Sequence, residues 1–117
     1  MITSRKILAV ILATSLTLLT GCHAKATPSI AATCEAYLQG IKLTQAGLYP
    51  NTPSGNKAFF SQLEKIKSLA DTSAVPELQT SALAMLDSAK AQDKSAFTIA
   101  SQSLFNTCAK YGFNSLR

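Results

Sequence analysis

Tryptophan is absent from this chain, histidine occurs once, and glycine and proline supply only 5 and 4 of its 117 residues. Each shortage excludes something. So little glycine and proline rules out a collagen-like chain. Three cysteines are too few for a disulfide-dense miniature fold. Charged residues make up 15% against 47% hydrophobic, too apolar a balance for intrinsic disorder. A long apolar run occurs once, at the extreme N-terminus, which excludes a polytopic membrane protein. The length leaves room for one small domain and excludes a large multidomain enzyme.

The same scarcity narrows the chemistry. The one histidine, His23, lies ahead of the expected domain, so no serine within it has a histidine to activate it. The acids Glu35, Glu64, Asp71, Glu77, Asp87 and Asp93 mostly fall at helix starts or on solvent faces. Asp87 has Lys90 three residues on, so dipole and ion-pair roles account for the set. There is no Glu-x-x-His, no cluster of Cys and His and no Gly-rich loop, hence no expected metal or phosphate site. The only arginines are Arg5 and Arg117, and the lysines are dispersed. A nucleic-acid-binding stripe would be clustered and richer in arginine, so no nucleic-acid partner is expected. No catalytic residue is assigned, and no enzymatic activity is expected.

What is present begins with an address. Arg5 and Lys6 precede the apolar segment 7–20 (ILAVILATSLTLLT), and small residues follow, as in a secretory signal. As a helix the segment would be roughly 21 Å long against about 30 Å of hydrocarbon, too short to span a bilayer comfortably. The run Leu19-Thr20-Gly21-Cys22 resembles the lipobox of bacterial lipoprotein precursors. The resemblance implies a diacylglyceryl group on the Cys22 thiol and cleavage before Cys22. Two acyl chains suffice for stable anchoring. The expected division is a signal peptide at 1–21, a lipidated tether at 22–27 and a helical domain at 28–117. No dissociable cofactor is expected, and the one attached group is the lipid. Cleavage would leave nine basic and six acidic residues, a net charge of about +3. A tether reaching about 20 Å holds such a domain close to the membrane. His23, where sorted lipoproteins carry an aspartate, implies by the same resemblance the outer membrane of any host that has two.

Four stretches of 3.6-residue periodicity follow. Thr27-Pro28 reads as N-cap and first turn of a helix to about Leu48, with the stripe Ile30, Cys34, Tyr37, Leu38, Ile41 and Leu48. Gly40, which costs roughly 1 kcal/mol in a helix interior, suggests close approach of a neighbouring backbone. Residues 49–55 (YPNTPSG) read as a loop, with Asn56 capping a second helix to about Ala70. That helix turns Phe59, Phe60, Leu63, Ile66 and Leu69 inward, and 71–75 breaks it. Pro76 and Glu77 open a third helix with the stripe Leu78, Ala82, Met85, Leu86 and Ala89. Asp93 caps a fourth that carries Phe97, Ala100, Leu104, Cys108 and Tyr111. Gly112 stands at the left-handed position beyond its end, and Phe113 is placed to cover Cys108. The expected fold is all-α, an up-down-up-down four-helix bundle.

The two remaining cysteines test that topology. Cys34 lies near the start of the first helix and Cys108 near the end of the fourth, which an up-down-up-down bundle brings to one end on neighbouring helices. Export would place them where disulfides persist, and lipidation of Cys22 leaves an even count. A Cys34–Cys108 disulfide is therefore expected. The rival states are two buried thiols, or a redox pair, which more usually forms CxxC. The aromatics sort into Tyr37, Tyr111 and Phe113 toward the disulfide end and Tyr49, Phe59 and Phe60 toward the proline loop. Core packing is their default role. The loop, through Tyr49, Pro50 and Pro53, is the candidate partner surface.

Cys22, Cys34, Cys108 and Gly112 together resemble the pattern of small secreted actinobacterial lipoproteins: a lipobox, a compact helical domain and two cysteines. Such proteins mostly lack an assigned activity. The resemblance implies location and architecture: a lipid-anchored protein on the extracytoplasmic face of the cell membrane. The leading functional expectation is a non-enzymatic binding or interaction module at the cell envelope, its partner an envelope protein or a small apolar ligand. The alternative is a lipoprotein carried by a phage or mobile element that excludes related incoming DNA. Neighbouring integrase or repressor genes would favour the second.

Overall fold

The computed structural model describes residues 25–115. The signal peptide, the lipobox residues Leu19, Thr20, Gly21 and Cys22, and His23 lie outside the described residues. Four helices follow one another, α1 Pro28–Gln45, α2 Pro53–Ser73, α3 Pro76–Lys90 and α4 Lys94–Lys110. They form an up-down-up-down bundle with no strand among the described residues. Sequential helices share long interfaces. α1 and α4, which close the bundle, meet over a much shorter one.

The starts are dictated by local chemistry. Thr27, Thr52 and Asp93 each accept a backbone N–H of the first turn through a side-chain oxygen, supplying a donor that the helix would otherwise leave unpaired. Pro28, Pro53 and Pro76 sit in the first turn, where their fixed φ suits the helix and their missing N–H costs nothing.

The ends are just as local. Gly47, at φ +74°, and Gly112, at φ +87°, take the left-handed position after α1 and α4. After α4 the Gly112 N–H donates to Ala109 O at 2.9 Å and the Phe113 N–H to Cys108 O at 3.0 Å, closing the last turn. Phe113 is half-buried against the core, as its position in that motif requires.

Several expected boundaries move. The loop expected at 49–55 is shorter, because Thr52 rather than Asn56 caps α2 and Pro53, Ser54 and Gly55 form its first turn. Gly55 makes this possible: a Cβ there would lie 2.8 Å from Pro50 Cδ and closer still to the Pro50 carbonyl oxygen. α1 stops at Gln45, ahead of left-handed Gly47, so Leu48 falls outside the stripe and is 58% exposed. α2 runs through 71–73 to a left-handed cap at Ala74. The neighbour lying on Gly40 is the Gln62 side chain, not a backbone. The ion pairs among the described residues are Lys67–Asp71 at 3.0 Å and Lys110–Glu77 at 3.5 Å, not Asp87–Lys90.

Cys34 and Cys108 are joined, their Cα atoms 5.6 Å apart across a separation of 74 residues. Both are fully buried, and so are Ala70 on α2, Leu78 on α3 and Leu104 on α4 at the same end. Burying a leucine completely contributes about 1.5–3 kcal/mol. The core is therefore densest beside the disulfide. Half-buried hydrophobics flank it at both ends, Leu69, Val75, Tyr111 and Phe113 beside the disulfide and Ile41, Phe59, Phe60, Phe97 and Ala89 at the opposite end.

Candidate functional site

α1 and α4 are tied at Cys34–Cys108 and again one turn further along α1 and two along α4, where Tyr37 meets Ser101. The Tyr37 hydroxyl donates to the Ser101 carbonyl at 2.9 Å and lies 2.8 Å from the Ser101 hydroxyl. Beyond that contact α1 carries Gly40, Ile41, Thr44 and Gln45, and none of them closes the space toward α4. A cavity of about 300 Å³ remains there. α2 and α3 form its floor through Phe59, Gln62, Leu63, Ile66 and Met85, and Tyr49 reaches over it from the loop.

The lining is apolar with a few polar points, and no Lys, Arg, His, Asp or Glu is among the residues that form it. Tyr37 and Tyr49 are its titratable groups. Burial pushes the Tyr37 phenol above its ordinary value of 10.0, and the hydrogen bond with Ser101 pulls it back in part. The phenol is thus neutral at any physiological pH. Gln62 donates its side-chain N–H to the Ala36 carbonyl at 2.8 Å, which holds the amide along the cavity wall. Phe59 and Phe97, ring centroids 5.9 Å apart, divide the cavity from a wider and more polar hollow bounded by Asn51, Asn56, Gln92 and Asp93. Tyr49 stands edge-on to Phe59 at 5.7 Å.

Such a lining offers an apolar surface with a few polar points for a bound molecule. No group of His, Cys, Asp and Glu among the described residues could hold a metal ion. No described helix is long and apolar enough to cross a membrane.

Of the residues singled out from sequence, the structure brings Cys34 and Cys108 together. It divides the expected partner loop: Tyr49 turns inward as part of the cavity wall, Pro50 is exposed and buttresses Gly55, and Pro53 begins α2. Tyr37 lines the cavity rather than joining Tyr111 and Phe113 beyond the disulfide. Periodicity assigned Phe97, Leu63, Ile66 and Met85 to the core, and they do face inward, but onto a space that no side chain fills. Its trace in the sequence is two small residues on inward faces, Gly40 and Ser101, which periodicity alone does not separate from a filled core. No family model, curated protein or solved structure matches this chain.

Proposed function

We propose that this chain is an extracytoplasmic lipoprotein, held on the cell membrane by a diacylglyceryl group on Cys22, whose helical domain is a non-enzymatic binding module of the cell envelope. The observation that carries the binding role is the apolar cavity between α1 and α4, about 300 Å³ and free of charged lining residues. Clefts of this size with a few convergent polar groups are the usual form of a small-ligand site. The anchor rests on Arg5 and Lys6, the apolar segment 7–20 and Leu19-Thr20-Gly21-Cys22.

The two parts of the reading suit one another. The tether enters α1 at the disulfide end, and at 1.5 Å per residue Thr44 lies roughly 24 Å further along the helix. In this arrangement the dense, covalently tied end faces the bilayer and the cavity faces away from it. Residue Lys25, exposed just ahead of α1, adds mild attraction for anionic headgroups.

Mass spectrometry of the protein extracted from its own cells tests both parts. Under denaturing conditions we expect a chain beginning at Cys22 and carrying diacylglyceryl. Under native conditions we expect a further small adduct that denaturation releases. An unmodified N-terminus would overturn the anchor, and a native mass equal to the denatured one would overturn the binding module.

A further inference from the structure

The polar hollow lies at the pole opposite the disulfide, between the start of α2 and the turn that joins α3 to α4. It encloses about 740 Å³ and is separate from the apolar cavity except for the shared Phe59–Phe97 wall. Its floor is apolar. Phe59, Phe60 and Phe97 are all half-buried, and their rings form one cluster, with centroids 5.7 Å apart from Phe59 to Phe60 and 5.9 Å apart from Phe59 to Phe97.

The rim is polar, and its hydrogen bonding can be followed group by group. Elsewhere in the molecule the amides of Gln62, Gln79 and Gln102 donate to partners within the chain. Those of Asn51, Asn56 and Gln92 line the hollow and have no hydrogen-bond partner among the described residues. Each therefore presents donors and an acceptor together. The hydroxyls of Ser88 and Thr98 donate to Ala84 O at 2.6 Å and to Lys94 O at 2.9 Å, which leaves them only as acceptors. Asp93 accepts the Ala96 N–H at 3.0 Å through one carboxylate oxygen and keeps the other. Lys94 is in no ion pair among the described residues, so the lining holds one negative and one positive group and no net charge.

Gln92 points the same way through a different observation. Its φ of +56° is one that glycine adopts without strain and a residue with a Cβ does not. An exposed side chain is nonetheless kept there, on the edge of the hollow, and it bonds to nothing among the described residues. Strained residues of this kind cluster where ligands are held.

A molecule that answers this wall is neutral, donates and accepts at several points, and has an apolar face. A hydroxyl both donates and accepts, and a ring that carries several of them while showing C–H bonds on one face is a sugar. That C–H face suits the negative face of a phenyl ring. A peptide would need its N–H and C=O groups paired in a row, as along a strand edge, and no strand occurs among the described residues. We propose that this hollow binds a neutral saccharide of about two pyranose rings, stacked on the phenylalanine floor and hydrogen-bonded through its hydroxyls to Asn51, Asn56 and Gln92. The site is independent of both the lipid anchor and the apolar cavity.

The test is a titration of the purified full chain, in phospholipid nanodiscs where it carries lipid and in plain buffer where it does not, with glycoside detergents excluded throughout. Nitrogen-15 signals of the Asn51, Asn56 and Gln92 side-chain amides report occupancy. The probes are cellobiose, maltose and acetyl-tetraalanine amide, a neutral peptide. We expect at least one disaccharide to shift all three amides saturably, with the same affinity at low and high salt, and the peptide to leave them unmoved. Gln92→Gly, read at Asn51 and Asn56, should weaken binding roughly fivefold while thermal stability rises, a combination that loss of folding cannot produce. Gln39→Ala, at an exposed position on α1 outside the hollow, should leave the affinity unchanged. Saturation by neither disaccharide, or full affinity in Gln92→Gly, would overturn the site. Equal or tighter binding of the peptide would overturn the saccharide class, and an affinity that falls with salt would overturn its neutrality.

Discussion

Tyr37 shows how one side chain serves both packing and the cavity. Its ring is 3% exposed, and its hydroxyl reaches across to α4 as the second tie between the helices that close the bundle. Tyr37→Phe removes the hydrogen bond while keeping the ring, so we expect a loss of about 1 kcal/mol in chemical denaturation. The same substitution changes the response to alkali. Burial raises the phenol above 10.0 in the folded state, so the neutral form is the one the fold favours. That contribution is complete below pH 10, the value of an unperturbed tyrosine, and is lost as pH rises through the higher folded value. Unfolding followed across that window should therefore steepen with pH in the wild type and flatten in Tyr37→Phe. Gly55 is the counterpart at which the side chain must be absent. In sequence it read as a loop residue, because what excludes its Cβ is Pro50, and only the folded turn brings the two together.

At the scale of the helices, the reliable signals were those that act within a single turn. Thr27-Pro28, Pro76, Asp93 and Gly112 were all legible, because a cap or a fixed φ does its work on neighbouring residues. Pro53 was not. A proline suits a loop and a first turn equally well, and the choice was made by the Thr52 side chain accepting from Gly55 N at 3.1 Å. The end of α3 holds a further surprise. Gln92 takes the left-handed position, at φ +56°, that glycine fills after α1 and α4. Its N–H donates to Ala89 O at 3.1 Å and the next N–H to Ser88 O at 2.9 Å, so the closing motif is complete without glycine. The backbone strain of a Cβ in that region is avoidable. Gln92→Gly should stabilise the domain by about 0.5–1 kcal/mol, visible as a rise of a few degrees in Tm.

For the molecule as a whole, the disulfide and the cavity are two results of one arrangement. α1 and α4 are bound covalently at one end, and the apolar cavity lies between them toward the other. The pairing of Cys34 with Cys108 was legible because topology and helix position set it. The cavity was not, because periodicity reports which way a side chain faces and says nothing of how far away the next helix stands. Tying a loop of about 75 residues contributes roughly 4–5 kcal/mol on the chain-entropy view. For a domain of this size that is a large share of the total. Replacing both cysteines by alanine should therefore bring the denaturation midpoint close to the onset of unfolding in water, measured by far-ultraviolet circular dichroism. The covalent tie has one more effect. All three inter-helix turns, at 46–52, 74–75 and 91–93, lie between Cys34 and Cys108, so the domain is a closed ring. A protease that nicks any one of these turns opens the ring but releases no fragment, and the severed protein stays a single covalent body until a reductant parts it.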